Sequence, residues 1–543
     1  MRIAYCLIIL GLFVSIYSSA QNSTAPNSFN TASIIFKTFE KNLAFLDTKE
    51  TEVDSLYSKL KDFYNRFNNS KNDSIFLKNY EYSLQNSITN FTNFNARQIT
   101  TIAHRLRGVQ PIRGSEISYL NRSFQVFIKY QNLYNFITTK SYKLKRKYKQ
   151  KLLNINILES KLNQLSSFYK NYYTTIGHTK IRRILNADDA TYNKKDNEFK
   201  HLAKNLLSRK NYRLIQKTIS RSSSYINPSQ LADSSVYYSI KNNTYSKSRI
   251  KQDRKRIKHY FNTDKSYKIG QFFTQQLSGA IGNFAGMFRF RKGYLYKNDT
   301  LIKNIQNHLQ PMDILSEKTG FALTDKMIPG HFGHIAIWLG TQKQLEKNKL
   351  WNHPVIRPFQ NRIKLGYCIL ETDRGGTHLK TLKKFMNVDE LAITRINDFD
   401  NLPLNEKVSI YKNALAQLGK KYDFNFDVET SDKLVCSELL YQVFGSVHWP
   451  TDRMLKRATI SPDNVMSLVL YQNTPLQLSY YISAKSHKKI QLKNEEALAE
   501  DLGYVKQETH YTFPEKKCEK KFIKGKKRKK KICKTTYQPL IYK

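Results

Sequence analysis

Two segments, about a hundred residues apart, constrain the possible fold and chemistry of this chain more than any other feature. Residues 327–340 carry His334 at the start of a short apolar run, and Cys436 directly precedes a run with helical spacing. The apolar run predicts a buried strand, and a thiol at a helix N-terminus lies where the helix dipole favours the thiolate. A histidine at a strand edge facing such a cysteine would supply the base and the nucleophile of a cysteine hydrolase.

Five segments carry a resemblance to a known family, in an order that places the histidine before the cysteine. They are residues 309–315, 334–337, 369–371, 419–424 and 436–439. In this order the set resembles the circularly permuted branch of the NlpC/P60 papain-like superfamily, the permuted papain-like amidases, over about residues 280–470. The entry motif departs from the family's Pro-Gly-Asp-Ile-Leu at Met312, which stands where the glycine is expected.

The resemblance implies a role for each of four residues. Cys436 is the implied nucleophile, His334 the general base and Glu371 the group that orients the imidazole, because a Cys-His pair needs a third group to set the tautomer. Tyr422 is a candidate to line the site or to assist at the oxyanion, where the backbone N–H of Cys436 is the first expected donor. The implied reaction is acyl transfer to water, which requires no metal and no organic cofactor.

Each of these residues also has a structural alternative. A cysteine on an apolar helix is commonly a small buried hydrophobe, while His334 and Glu371 taken alone would fit a core histidine and a surface carboxylate. Cys368 lies inside an apolar run without a helix start, so we interpret it as a core residue. His331 and His334 are three residues apart, but zinc needs further ligands, so we predict no metal site.

The N-terminus predicts where the protein works. Arg2 precedes an almost wholly apolar run, residues 3–16, and small residues follow at 18–20. This pattern is typical of a secretory signal peptide over residues 1–20, and an uncleaved anchor is the alternative. We therefore expect a protein that is secreted, or that is periplasmic or otherwise held in the cell envelope.

The predicted fold class is α+β. Residues 21–265 are nearly free of Gly and Pro and carry apolar stripes at helical spacing, which predicts an all-α helical bundle or coiled-coil region. Residues 280–485 are the predicted permuted papain-like catalytic domain, an antiparallel sheet plus helices. Residues 486–543 are predicted to be a basic, disordered tail, in which Cys518 and Cys533 either pair or remain two thiols.

The formal charge of +47 narrows the expected partners. Basic runs at residues 143–147, 251–258 and 524–531 favour an anionic membrane surface or an anionic wall polymer. No recognised nucleic-acid motif is present, so nucleic acid is not the expected partner. The alternative is a solvated basic surface that reflects biased composition.

Together these features predict a secreted cysteine hydrolase that cleaves an amide or ester bond. The expected location makes a peptidoglycan peptide the first candidate substrate, and the basic surface makes a lipid-linked amide the second. The competing hypothesis is a non-catalytic basic helical protein, with a binding or structural role, that recognises an anionic surface. Faster thiol labelling at Cys436 than at Cys368 would separate the two hypotheses.

Overall fold

A computed structural model describes residues 31–542, except for 68–69, 108–110, 149–150, 174, 223, 225–247, 266–290, 321–329, 398, 424–432, 455–456 and 523–528. The predicted signal peptide lies outside these residues. Within them, one hydrophobic core joins the N-terminal helices and a second fills an α+β C-terminal region, as the predicted fold class requires. Among the residues so described, no helix combines the length and the apolar character that crossing a membrane requires.

The N-terminal region consists of helices around an apolar interior. The helices are α1 (Thr31–Arg66), α2 (Lys71–Arg105), α3 (Gly114–Tyr148), α4 (Lys151–Phe168), α5 (Thr179–Asn186), α6 (Glu198–Leu206), α7 (Arg209–Ser222) and α8 (248–265). Leu46, Val53 and Leu60, from the stripe predicted in α1, are buried. Three of the helices are 35 or 36 residues long, so their stability comes from packing these apolar faces rather than from helix propensity alone.

The C-terminal region is built on strands. They are β1 (Ile314–Lys318), β2 (His334–Trp338), β3 (Ile369–Asp373), β4 (Gly376–Lys380), β5 (Glu390–Ile396), β6 (Lys421–Tyr422), β7 (Lys433–Leu434), β8 (Asp452–Met454), β9 (Arg457–Thr459), β10 (Leu476–Ser486), β11 (Lys489–Leu492), β12 (Val505–Gln507), β13 (His510–Phe522) and β14 (Lys529–Pro539). A seven-stranded antiparallel sheet has the order β11-β10-β5-β1-β2-β3-β4, which places β2 beside β3.

Helices of the C-terminal region lie between and beside these strands. They are α9 (Asp299–His308), α10 (Gln342–Lys347), α11 (Gln360–Lys364), α12 (Leu382–Phe385), α13 (Leu404–Leu415), α14 (Cys436–Val443), α15 (Pro462–Ser467) and α16 (Glu495–Asp501). The apolar side of α14, with Leu439 and Leu440, packs into the same core as the central strands. The first residue of α14, Cys436, is thereby held next to the sheet.

The turn before β1 explains why a glycine is expected at position 312 of the entry motif, where this chain has Met312. Met312 has φ +66°, in the left-handed region that favours glycine. Its side chain is buried and its N–H donates to the Trp338 carbonyl at 2.7 Å, while Arg395 donates two hydrogen bonds of 2.8 Å to Asp313. Burial of the Met312 side chain and these hydrogen bonds offset the backbone strain.

The helical region contacts the C-terminal region at helix α14. The start of α3 crosses the end of α14 so closely that the Ser115 N–H donates to the Gly445 carbonyl at 3.2 Å. The Tyr441 hydroxyl donates to the Ile112 carbonyl at 2.7 Å. A Cβ on Gly114 would lie 1.9 Å from the Tyr441 carbonyl oxygen, so only glycine permits this crossing.

Replacing Gly114 by alanine should therefore disturb the helix that begins at Cys436. Because the added methyl group would collide with backbone atoms, α3 or α14 must shift to remove the clash. We expect the free energy of unfolding to fall by about 2 kcal/mol or more. Urea titration measures this, and iodoacetamide labelling of Cys436 should slow. Gly177→Ala is the control, since its Cβ would meet side-chain atoms rather than backbone, the nearest being the Tyr260 hydroxyl at 3.2 Å. Equal stability of the two variants would contradict the close crossing.

In place of the expected disordered tail, the described residues after 486 form regular structure. Strand β11 extends the large sheet, and β12, β13 and β14 form a separate three-stranded sheet. Cys518 and Cys533 lie opposite each other and form a disulfide bond. The lysine runs conceal this in the sequence, because strand-forming Thr, Tyr, Phe and Ile residues are scattered among charges that ordinarily indicate disorder.

Candidate active site

His334 and Glu371 meet between adjacent strands. His334 is the first residue of β2, and Glu371 lies in the middle of β3, where it pairs with Ala336 in the antiparallel register. His334 Nε2 is 3.0 Å from Glu371 Oε2. The carboxylate is fully buried, because the apolar runs that form both strands place it in the interior of the sheet. The structure thus brings together two of the residues that the sequence predicts.

Cys436 reaches the same histidine from helix α14. It is the first helical residue, its side chain is buried, and it is a free thiol. A hydrogen bond with the thiol is among the effects that raise the pKa of the His334 ring, so the two side chains lie within reach of each other. One imidazole therefore bridges a thiol and a carboxylate.

The electrostatics of this trio favour a charged imidazole. Burial disfavours the charged form of His334, but its hydrogen bonds with Cys436 and Glu371 outweigh burial and raise its pKa well above the ordinary value. Burial alone would raise the pKa of Glu371, whereas hydrogen bonds from His334 and His378 and the charge of Lys380 hold it far below its ordinary value. At neutral pH Glu371 is therefore an ionised carboxylate beside an imidazolium.

A histidine and a lysine from β4, which the sequence did not single out, contact the other oxygen of Glu371. His378 Nε2 is 3.2 Å from Glu371 Oε1, and the Lys380 ammonium contacts the same oxygen. The hydrogen bond with Glu371 is the largest of the effects that raise the pKa of His378. The sequence could have indicated His378, because the two-residue turn after Asp373 sets a hairpin register that places His378 opposite Glu371.

Tyr422 approaches the cysteine along a short parallel pairing. Strand β6 pairs with β7, so that Tyr422 lies opposite Leu434, two residues before Cys436. Burial, followed by the negative charges of Cys436 and Glu438, raises the pKa of Tyr422 well above its ordinary value. The phenol therefore stays protonated at neutral pH and remains a hydrogen-bond donor, close enough to Cys436 for the charge of the sulfur to affect its pKa.

The chain before Cys436 is fixed by a buried carboxylate that the sequence also did not single out. Glu438 Oε2 accepts a hydrogen bond of 2.9 Å from the Val435 N–H, as an acid at the third position of a helix commonly does. The backbone bond from the Leu439 N–H to the Val435 carbonyl closes the first turn. The earlier N–H groups of the helix, including that of Cys436, have no intrahelical acceptor and face the sulfur end of the helix.

The remaining candidates lie elsewhere. His331 does not share a site with His334: its Nε2 is 3.1 Å from Glu390 Oε2 and 3.0 Å from the Tyr481 hydroxyl. Asp501 completes a group close enough to hold a metal ion, but the Lys493 ammonium lies 2.6 Å from Asp501 Oδ2 and already balances that carboxylate.

Cys368 lies in the core, as predicted. Its thiol is 3.7 Å from the Ile363 carbonyl oxygen, and burial raises its pKa to about 12. It is therefore an inert thiol in the same domain as Cys436 and a natural internal reference for it.

Residues 308–499 match the family model described as permuted papain-like amidase enzyme, YaeF/YiiX, C92 family. No curated protein and no solved structure matches the chain. The matched segment includes Cys436, His334, Glu371 and Tyr422. The match supports a permuted papain-like family and does not extend to the narrower NlpC/P60 assignment. On this match, residues 308–499 are similar to a permuted papain-like amidase domain.

Proposed function

We propose that the protein is a cysteine hydrolase that cleaves an amide or ester bond, with Cys436 as nucleophile, His334 as acid and base, and Glu371 as the orienting group. The observation that carries this proposal is the imidazole held between a buried carboxylate and a thiol at a helix N-terminus. The match to an amidase family supports the same class of reaction.

The proposed reaction has two steps. The thiolate attacks the carbonyl carbon, a C–S bond forms, and the carbonyl electron pair moves onto the oxygen. The imidazolium then gives its proton to the leaving nitrogen or oxygen, the scissile bond breaks, and a thioester remains. In the second step the neutral imidazole takes a proton from water, which attacks the thioester and releases the acid and the thiolate. Glu371 holds the ring throughout, because its buried carboxylate stabilises each imidazolium that forms.

The oxyanion of each step needs hydrogen-bond donors near the sulfur. The backbone N–H of Cys436 lies at the positive end of the helix dipole, and the Tyr422 phenol is protonated and within electrostatic range of the thiol. We propose these two groups as the donors.

Removal of the Tyr422 hydroxyl tests this assignment. We expect Tyr422→Phe to lower kcat by about 10²-fold with little change in KM, because the lost hydrogen bond strengthens only as charge develops on the oxygen. Tyr367→Phe, at a half-buried tyrosine of the same domain, is the control and should retain its activity. If the two variants had the same kcat, Tyr422 would be a lining residue without a catalytic role.

Wall peptides are the first proposed substrate and lipid-linked amides the second. The first follows from the predicted signal peptide and the second from the net charge of +47, which favours an anionic membrane surface. Purified enzyme should be incubated with peptidoglycan peptides and, separately, with N-acyl lipids in vesicles, and new amines quantified by mass spectrometry. Release from either that is absent in Cys436→Ala supports the hydrolase. Release from neither, with an unreactive Cys436, would favour the non-catalytic binding protein.

A further inference from the structure

Strands β13 and β14 form a ribbon that extends beyond the core. They pair over eleven residue pairs, from Thr512 opposite Pro539 to Phe522 opposite Lys529. Strand β12 pairs only with residues 510–512, so among the described strands the rest of β13 has β14 as its one neighbour. Cys533, Lys534 and other described side chains of this part are exposed. The backbone of about ten residues in each strand, roughly 30 Å long, therefore has no third strand beside it among the residues that the structure describes.

The register of the ribbon places like charges opposite one another. Lysine pairs with lysine at Lys517 and Lys534, at Lys520 and Lys531, and at Lys521 and Lys530. Such pairs destabilise an antiparallel sheet. The last two pairs are adjacent along the strands, and adjacent residues of a strand belong to opposite faces, so lysine positions occur on both faces of the ribbon.

The disulfide bond offsets this repulsion. Cys518 and Cys533 lie between the first and second of the lysine pairs and tie the two strands together there. A covalent link at that position keeps the two strands paired although the lysine charges repel each other. An anionic partner would relieve the repulsion between the paired lysines, because each bound anion balances part of their charge. The disulfide bond would hold the ribbon in place until such a partner binds.

We propose that residues 516–521 and 529–534 bind a linear anionic glycan, whose carboxylate, sulfate or phosphate groups contact lysines on both faces of the ribbon. A flat bilayer would contact one face and leave the charges on the other unpaired. The twelve positions hold eight lysines and no arginine, and the one aromatic residue paired with them is Phe522, opposite Lys529. Single-stranded nucleic acid is commonly bound on aromatic platforms and duplex bases are commonly read by arginine, so the composition favours a glycan.

The experiment measures the Kd of the full-length protein for heparin, a linear glycan that bears sulfate and carboxylate groups, over a range of NaCl concentrations. The test variant is K520Q/K521Q/K530Q/K531Q. The matched control is K41Q/K59Q/K61Q/K78Q, which removes the same charge from exposed lysines of α1 and α2. We expect the test variant to bind at least about tenfold more weakly, with a flatter dependence of Kd on salt, and the control to bind like the wild type.

Three results would overturn the proposal. Equal weakening in both variants would mean a diffuse effect of net charge. A loss of binding to phosphatidylglycerol vesicles with heparin binding unchanged would make the ribbon a membrane contact. Duplex DNA that binds through the ribbon and displaces heparin would make it a nucleic-acid contact. Lys517→Gln/Lys534→Gln is a second variant, and urea titration reports whether each variant is folded. The ribbon lies outside the Cys436 site, so this test stands or fails independently of the proposed hydrolase.

Discussion

Cys436→Ala is expected to abolish hydrolysis, with kcat/KM lower by roughly 10⁴-fold or more. Without the sulfur no thioester can form. His334 then has no tetrahedral intermediate whose leaving group it could protonate. Turnover of p-nitrophenyl acetate measures the loss for an ester, and release of amine from a substrate peptide measures it for an amide. The free energy of unfolding should change by no more than about 1 kcal/mol, since the thiol is small and the helix dipole and capping bonds remain.

Cys368→Ala is the matched control for this change. It removes a buried thiol from the same domain, and burial raises the pKa of that thiol to about 12. We expect full activity and a free energy of unfolding lower by about 1–2 kcal/mol, the reverse of the pattern at Cys436. Activity that survives in Cys436→Ala and is lost in Cys368→Ala would exchange the two roles and overturn the site.

Glu371→Gln should have the second largest effect, a fall in kcat of about 10³- to 10⁴-fold. The amide is nearly isosteric, but it cannot stabilise the imidazolium, and its NH₂ group can select the wrong ring tautomer. The measurement is the pH profile of kcat for wild type and variant. Because Glu371 contributes to the raised pKa of His334, the limb of the profile that reports the imidazolium should shift to lower pH in the variant.

The same substitution should also destabilise the fold. Lys380 and His378 would lose the buried carboxylate that they share, and because both reach solvent we expect a cost of roughly 2 kcal/mol rather than the larger penalty of a fully buried pair. Asp373→Asn is the control: this carboxylate is on the same strand, is exposed, and lies 3.8 Å from His378. A kcat within tenfold of wild type in Glu371→Gln would show that Glu371 does not orient the catalytic base.

The contacts that define the site divide into those a sequence can reveal and those it cannot. His334 and Cys436 were predictable, because an apolar run marks the strand and helical spacing marks the helix. Their meeting was inferred from the order of the motifs rather than from periodicity. Lys380 and His378 required the hairpin register, and Glu438 required recognition of a helix start without a Ser or Thr cap.

The role of the helical region could not be read from its composition. Its apolar stripes predict helices, but they do not say which surface those helices contact. The structure places the start of α3 against α14, and it pairs the buried Lys420 ammonium with Asp189 at 3.4 Å, beside the segment that leads to Tyr422. Contacts of this kind depend on backbone fit at Gly114 and on burial of single charges, which leave no periodic pattern in the sequence.

The most direct test of the central claim is the pH dependence of iodoacetamide labelling at Cys436, mapped by mass spectrometry in wild type and in His334→Ala. Cys368 serves as the reference thiol in the same sample. An activated Cys436–His334 pair predicts rapid labelling of Cys436 already at about pH 6, its loss in His334→Ala, and no labelling of Cys368 in the folded protein. Labelling of Cys436 that rises only above about pH 8, and does so equally in both proteins, would contradict an activated pair and with it the proposed hydrolase.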